Sequence, residues 1–267
     1  MYSFNYVKAS SLGQVAEFLK ATPDARPLAG GMTLIPTLKA RLAQPTHLID
    51  IAGLSELRGV EVKGGKVVIG AATRHYEVAS SAAVREAIPA LAYLASRIGD
   101  PQVRNCGTMG GSVANNDPAA DYPAAVLGLN ATVVTDRREI AADDFFQGMF
   151  TTALEPGEII VRLSFPVPKR AAYQKFAHPA SGYAMTGSLV AETAGGIRVA
   201  ITGAGPSVFR WTAAEAALAK SMSPDAIAKL AVDAGDLNED IHGTREYRAN
   251  LVQVMTKRAV AQIAGRK

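Results

Sequence analysis

CGTMGGSVANNDPAAD, residues 106–121, sets a glycine pair, Gly110 and Gly111, just ahead of two carboxylates, Asp117 and Asp121. A glycine pair lets backbone come close to something, because a Cβ would block either a positive φ or the approach of a ligand. Two nearby carboxylates suit a metal, a proton transfer or a hydroxyl-rich ligand. Pro118 favours a helix start at its own position, which makes Asp117 an N-cap. Asp121 has no evident helical duty, and the residues alone leave it between a ligand hydroxyl and solvent.

Working outward, a second pair appears in LAGGMTLIP, residues 28–36. Leu28 can end a strand, Gly30 and Gly31 supply a tight turn, and residues 34–42 have helical spacing past Pro36. Backbone N–H groups that converge in a glycine turn form an anion nest, and a helix N-terminus adds partial positive charge. Thr33 beside the first pair, and Thr108 and Ser112 around the second, offer further hydroxyl donors. Two such pairs suit the several oxygens of a diphosphate, hence a dinucleotide. Neither pair matches G-x-G-x-x-G in a βαβ unit, which disfavours a Rossmann NAD site.

The chain has 267 residues, 48% of them hydrophobic, enough for two ordinary domains. A net charge of +4 without a dense basic block predicts no nucleic-acid partner. No apolar signal core follows the first residues and no apolar run reaches membrane-spanning length, so a cytoplasmic protein is expected. Cys106 is the single cysteine, which excludes an intrachain disulfide, a C-x-x-C pair and a four-cysteine iron–sulfur site. Redox chemistry would need a bound cofactor. His47, His75, His178 and His242 lie far apart with no H-E-x-x-H pattern, so each is expected to be structural.

Periodicity predicts an amphipathic helix over SLGQVAEFLKA, with Ser11 and Gln14 as a capping box. A strand in THLIDIAGL and a hairpin around Gly64-Gly65 follow. Residues 75–99 predict two helices broken near Pro89. A short helix over AAVLGLN and a strand over ATVVT come next. The strand EIIVRLSFPVP stops at Pro166 and Pro168, and the expected domain division falls there, 1–170 and 171–267. Three strands then precede three helices, the first capped by Thr212 with Glu215, the second opened by Ser223-Pro224, the last by Thr244. Strands grouped before helices indicate an α+β fold.

Together LAGGMTLIP, IGDPQVRNCGTMGGSVANNDPAAD, FFQGMFTTALEPGEII and DIHGTREYRANL resemble the FAD-binding medium subunit of molybdenum hydroxylases, nearly end to end. The resemblance implies a vanillyl-alcohol-oxidase-type (PCMH) FAD-binding domain of two subdomains, followed by an α+β domain with a small antiparallel sheet and helices. It places a first FAD loop at Leu28, Ala29, Gly30, Gly31, Met32, Thr33, Leu34 and Ile35. A second falls at Thr108, Met109, Gly110, Gly111 and Ser112. Asp121 is implied to touch the flavin nucleotide, with further contacts at Ile98, Ile160 and Lys175. Met32 and Ser112 depart from the commonest residues, His or Gln and Asn, which spares the backbone donors. The implied partners are a large molybdenum-cofactor subunit and a small [2Fe-2S] subunit, in a dimer of heterotrimers. Electrons would pass to NAD, a quinone or oxygen, and no residue of this chain is needed as acid, base or nucleophile. The alternatives are a stand-alone flavin oxidoreductase of the same fold, a scaffold, or a carbohydrate- or metal-binding module built on Asp117 and Asp121.

Overall fold

A computed structural model describes residues 1–265; residues 266 and 267 of the expected second domain lie outside the described residues. The chain opens with strand β1 (Asn5–Lys8), helix α1 (Leu12–Ala21), strand β2 (Ala25–Leu28), helix α2 (Leu34–Lys39) and strand β3 (His47–Asp50). The strands form a small parallel sheet in the order β1-β3-β2. Ser11 caps α1 as expected, accepting from Gln14 N at 3.2 Å. The return contact of the box goes one residue earlier, from Ser10 N to Gln14 Oε1 at 2.7 Å. Helix α2 stops short of residue 42 because Arg41 turns left-handed, at φ 59°.

The next unit begins with the expected hairpin, β4 (Val60–Lys63) and β5 (Lys66–Gly70), turned by Gly64 and Gly65 at φ 58° and 71°. Helices α3 (His75–Ser80), α4 (Ala82–Ala87) and α5 (Pro89–Ser96) replace the expected pair. Ser81 makes the extra break: its extended backbone ends α3 while its hydroxyl accepts from Val84 N and starts α4. Then come α6 (Pro101–Cys106), α7 (Met109–Asn115), α8 (Tyr122–Gly128), β6 (Thr132–Thr135), β7 (Glu139–Ala141), α9 (Ala142–Phe145), β8 (Phe146–Gly148), β9 (Thr151–Thr152) and β10 (Ile160–Pro166). An antiparallel sheet runs β4-β5-β10-β6-β7.

Two local expectations are corrected here. The Gly110-Gly111 pair is not a loop turn; it lies in the first turn of α7, capped by Thr108. Asp117 caps no helix, because its Oδ1 accepts from Ala119 N at 2.8 Å in an Asx turn. Helix α8 begins only at Tyr122, with Asp121 immediately before it.

The remaining chain forms the antiparallel sheet β11 (Arg170–Ala177), β12 (Ala184–Thr193), β13 (Gly196–Thr202) and β14 (Phe209–Arg210), in that order. Helices α10 (Thr212–Lys220) and α11 (Arg245–Ile263) follow, with only a 3₁₀ turn at Pro224–Ile227 where a second helix is expected. Ser223 and Thr244 cap as predicted. Thr212 does not, since the helix already includes it and Trp211 occupies the cap position. Glu215 turns inward instead, accepting from Val199 N at 3.0 Å and from Arg210 Nε at 2.9 Å.

Strand β12 is buried on both faces from Ala184 to Ala191. Leu189, Ala191 and Ala200 join the core of the preceding unit, while Val190, Val199 and Ile201 pack with Trp211, Val252 and Ala259. Two-sided burial explains why AMTGSLVA lacks the alternation of a half-exposed strand. The junction is tight: a Cβ on Gly128 of α8 would lie 2.5 Å from Leu189 Cδ2. The fold is α+β throughout.

Candidate functional site

A cleft of about 470 Å3 opens where the β2–α2 loop, the α7 segment and the start of β10 meet. Leu28, Ala29, Gly30, Gly31, Met32, Thr33 and Leu34 line one side, and Thr108, Gly110, Gly111 and Ser112 another. Ile98, Asp121 and Ile160 also reach it. The structure therefore brings together residues far apart in sequence. Ile35, Met109 and Lys175 do not line it. Met109 is fully buried in the core, and Ile35 lies against Gly31, 3.0 Å from where a Cβ would project.

The two glycine segments do different work. In the first, the backbone N–H groups of Ala29, Gly30, Gly31, Met32, Thr33 and Leu34 find no acceptor among the described residues. Gly31 adopts φ +70°, which turns this run back on itself. A continuous row of open donors on a cleft wall is what an anion with several oxygens needs. Gly30 is also required for packing, since its Cβ would sit 2.1 Å from the Cys106 carbonyl oxygen.

In the second segment the donors are taken. Met109 N donates to Thr73 O at 3.0 Å, Gly110 N to Ala71 O at 2.8 Å and Gly111 N to Thr108 Oγ1 at 3.2 Å. The expectation that both pairs supply backbone donors is thus corrected. The N-terminus of α7 is spent on holding the helix against residues 71–73. A Cβ on Gly110 would approach Ala71 Cβ to 2.5 Å and its Cα to 2.9 Å, so glycine here lets the helix dock. What the second segment offers the cleft is a low, smooth wall, continued by Ala114 and Asn115.

Asp121 is 4% exposed. Its Oδ1 accepts from the Tyr173 hydroxyl at 2.5 Å and its Oδ2 from Lys175 Nζ at 2.8 Å. Lys175 also donates to Arg97 O at 3.0 Å. Burial pushes the Asp121 carboxyl above its ordinary range, while Lys175 and Tyr173 draw it back. Tyr173 and Lys175 belong to β11, so this buried pair fastens the C-terminal sheet to the cleft floor. Lys175 reaches the cleft only through Asp121.

Two lining residues had no signal of their own in the sequence. His75 is 4% exposed, and burial, helped by the charge of Arg104, lowers its imidazole to about 4, leaving it neutral at pH 7. A Cβ on Gly107 would meet its Nε2 at 2.6 Å, so the ring is wedged under the start of α7. Tyr183, from the β11–β12 connection, brings a large aromatic ring to the cleft mouth. Burial, then the charges of Asp117, Asp100 and Asp121, raise its hydroxyl. Asn115 is different, because it follows Gly111 by one helical turn and helix spacing would have found it.

The donor row, the smooth opposing wall and the apolar side chains between them fit a long ligand with a central diphosphate. Groups of three or more His, Cys, Asp or Glu able to hold a metal ion are absent among the described residues. Both Asp121 oxygens are already occupied, which removes it from a metal or sugar site with Asp117.

Residues 2–168 match the model of the FAD binding domain in molybdopterin dehydrogenase, and residues 169–263 that of the CO dehydrogenase flavoprotein C-terminal domain. The chain is 35% identical to the glyceraldehyde dehydrogenase medium chain of Sulfolobus acidocaldarius, covering 98% of each. It is 36% identical to the carbon monoxide dehydrogenase medium chain of Hydrogenophaga pseudoflava, covering 96% of each. A chain of the reconstituted CO dehydrogenase from Oligotropha carboxidovorans superimposes with a TM-score of 0.90 at 32% identity, over 100% of this chain and 99% of that one. With a donor-lined cleft and matches over almost its whole length, the chain belongs to the family of FAD-binding medium subunits of molybdenum hydroxylases, oxidoreductase flavoproteins whose cofactor is FAD.

Proposed function

We propose that this chain is the electron-transfer subunit of a heterotrimeric molybdenum hydroxylase. It would receive electrons from iron–sulfur clusters of a small [2Fe-2S] subunit and deliver them to an external acceptor. A large molybdenum-cofactor subunit would hold the substrate, and two heterotrimers would pair. The observation that carries the reading is the open row of N–H groups from Ala29 to Leu34 on the wall of the cleft.

Bound in that cleft, FAD supplies the redox chemistry, and the protein supplies position and electrostatics. The first loop holds the pyrophosphate by its backbone, with the Thr33 hydroxyl beside it. Gly110, Gly111 and Ser112 bound the opposite wall and exclude water. Asp121, held in place by Lys175 and Tyr173, presents a fixed polar floor to the cleft. Ile98 and Ile160 give apolar cover. The proposed division, 1–170 and 171–267, places the donor row in one domain and the Lys175–Asp121 clamp across both.

No helix among the described residues is long and apolar enough to cross a membrane, and the proposed location of the complex is the cytoplasm. The test is the purified chain and its native assembly. Flavin absorption near one FAD per chain, with molybdenum and iron recovered in a native pull-down, is expected. A colourless chain that takes up no added FAD, or one isolated active without molybdenum and iron, would overturn the reading.

A further inference from the structure

Beside the FAD cleft a second cleft of about 510 Å3 opens among the 117–119 turn, Met149 and Phe150, and the β11–β12 connection. The two clefts share Asp117, Ala119 and Tyr183, so this tyrosine is a common wall. None of the FAD-binding elements described above requires the second space.

Its chemistry differs from that of the first. Met149 and Phe150 are 50% and 57% exposed at its edge, large apolar side chains in open position. They are not loose, because Asn116 Nδ2 donates to Gly148 O and Thr151 O at 2.7 and 2.8 Å and Phe150 N donates to Asn116 O at 3.2 Å. The hairpin tip is thereby pinned to the end of α7. Pro118 and Met185 add further apolar lining.

The cleft also holds an oriented imidazole pair. His178 Nδ1 accepts from the N–H groups of Ala180 and Ser181 at 3.2 and 3.3 Å, which puts its proton on Nε2. That Nε2–H donates to His242 Nδ1 at 3.3 Å. The proton of a neutral His242 is then on Nε2, where it has no acceptor among the described residues. A directed donor results, set by two upstream backbone bonds.

The supply of donors selects the ligand. The lining carries Asp117, Asp240 and Arg248, and Arg248 is bound to Asp240 at 2.7 Å. Arg248 Nη1 donates to Met185 O and Gly203 O, and its Nε is buried without a partner among the described residues. The N–H groups of Gly203 and Ala184 are taken by Pro118 O and Ala119 O. An open donor row like that of residues 29–34 is missing among the described residues here. The oxygens of a pyrophosphate-bearing nicotinamide dinucleotide would find no such row, whereas a flat, neutral ring with carbonyl acceptors needs only the single N–H of His242.

We propose that this second cleft is the docking site of a quinone-class electron acceptor, its ring covered by Met149 and Phe150 and a carbonyl oxygen accepting from His242 Nε2–H. The assignment rests on FAD occupying the first cleft, with Tyr183 between the two.

The test uses the purified full chain, flavin-loaded and flavin-stripped, and a short-tailed water-soluble benzoquinone in equilibrium dialysis. Saturable binding of about one quinone per chain is expected, weakened roughly 5- to 10-fold by His242→Ala, the loss of one hydrogen bond. His242→Gln, which restores an N–H donor, should recover part of it, and flavin content should stay as in the parent. Absence of saturable quinone binding, equal affinity in His242→Ala, or displacement of the quinone by NADH would overturn the proposal. Flavin absorption is read on the same samples. A chain that loses quinone binding but keeps flavin defeats only the second cleft, whereas a chain that never takes flavin defeats the FAD reading.

Discussion

The loop holding Gly30-Gly31 and the helix holding Gly110-Gly111 look alike in sequence and face one cleft, yet their backbones are in opposite states. In the loop the N–H groups from Ala29 to Leu34 are open. In the helix those of Met109, Gly110 and Gly111 are bound to Thr73 O, Ala71 O and Thr108 Oγ1. A glycine pair therefore has two separate physical causes: open donors with a positive φ, or removal of a Cβ so that backbones can touch. Gly30 and Gly110 share the second cause, and only the first loop adds open donors.

The largest expected effect probes what the pairs share. Gly30→Ala forces a Cβ to 2.1 Å from the Cys106 carbonyl oxygen, and Gly110→Ala brings one to 2.5 Å from Ala71 Cβ with backbone just behind it. Each should destabilise the chain by about 3 kcal/mol, measured by chemical denaturation of the flavin-free protein. A cost near zero in either would mean the contact is not built as described.

An intermediate effect isolates the donors. Met32 is 36% exposed at the open row, so Met32→Asp adds negative charge without a packing clash. Repulsion of about 1–3 kcal/mol from a diphosphate would weaken FAD binding roughly 10- to 100-fold while the melting of the flavin-free chain stays put. Met32→Gln should bind FAD within about threefold of the parent. Equal FAD affinity in the Asp variant would move the pyrophosphate away from the first loop.

The smallest effect separates neighbours within the second pair. The nearest atom to a Cβ on Gly111 is Thr108 Oγ1 at 2.9 Å, a side-chain oxygen that can give way slightly while keeping its bond to Gly111 N. Alanine also favours a helix by up to about 1 kcal/mol. Gly111→Ala should thus stay within about 0.5 kcal/mol of the parent in the same denaturation assay, against the large loss in Gly110→Ala. Two equal losses would erase the distinction between a packing glycine and its neighbour.

Where signals are local, the fold was legible. Ser11, Thr244 and Ser223 each place a side-chain oxygen at the start of an element, and Gly64-Gly65 closes its hairpin with positive φ. Pro166 ends β10 for the same local reason. Strand β1, NYVK, carries no sequence signal because it has no apolar alternation, its residues being mostly exposed on a small sheet. Helix α7 gives no helical signal because glycine pairs disfavour helix, a preference here outweighed by docking against residues 71–73. Thr212 with Glu215 matched a cap pattern, but the carboxylate had a stronger partner in Arg210, at 2.6 Å.

Composition, cap chemistry and motif order by themselves determined that the chain is an α+β protein, that its two glycine segments are places where backbone comes close to a neighbour, and that a cofactor must carry any electrons. These follow from short-range sterics and from a single cysteine. Only the tertiary structure decided which glycine segment keeps its donors, that Asp117 makes an Asx turn, and that Asp121 is clamped by Tyr173 and Lys175 from a strand some fifty residues away. The reason is that a backbone donor or a buried carboxylate is defined by its partner, and the partners Ala71, Thr73 and Lys175 meet these groups only when separate elements pack.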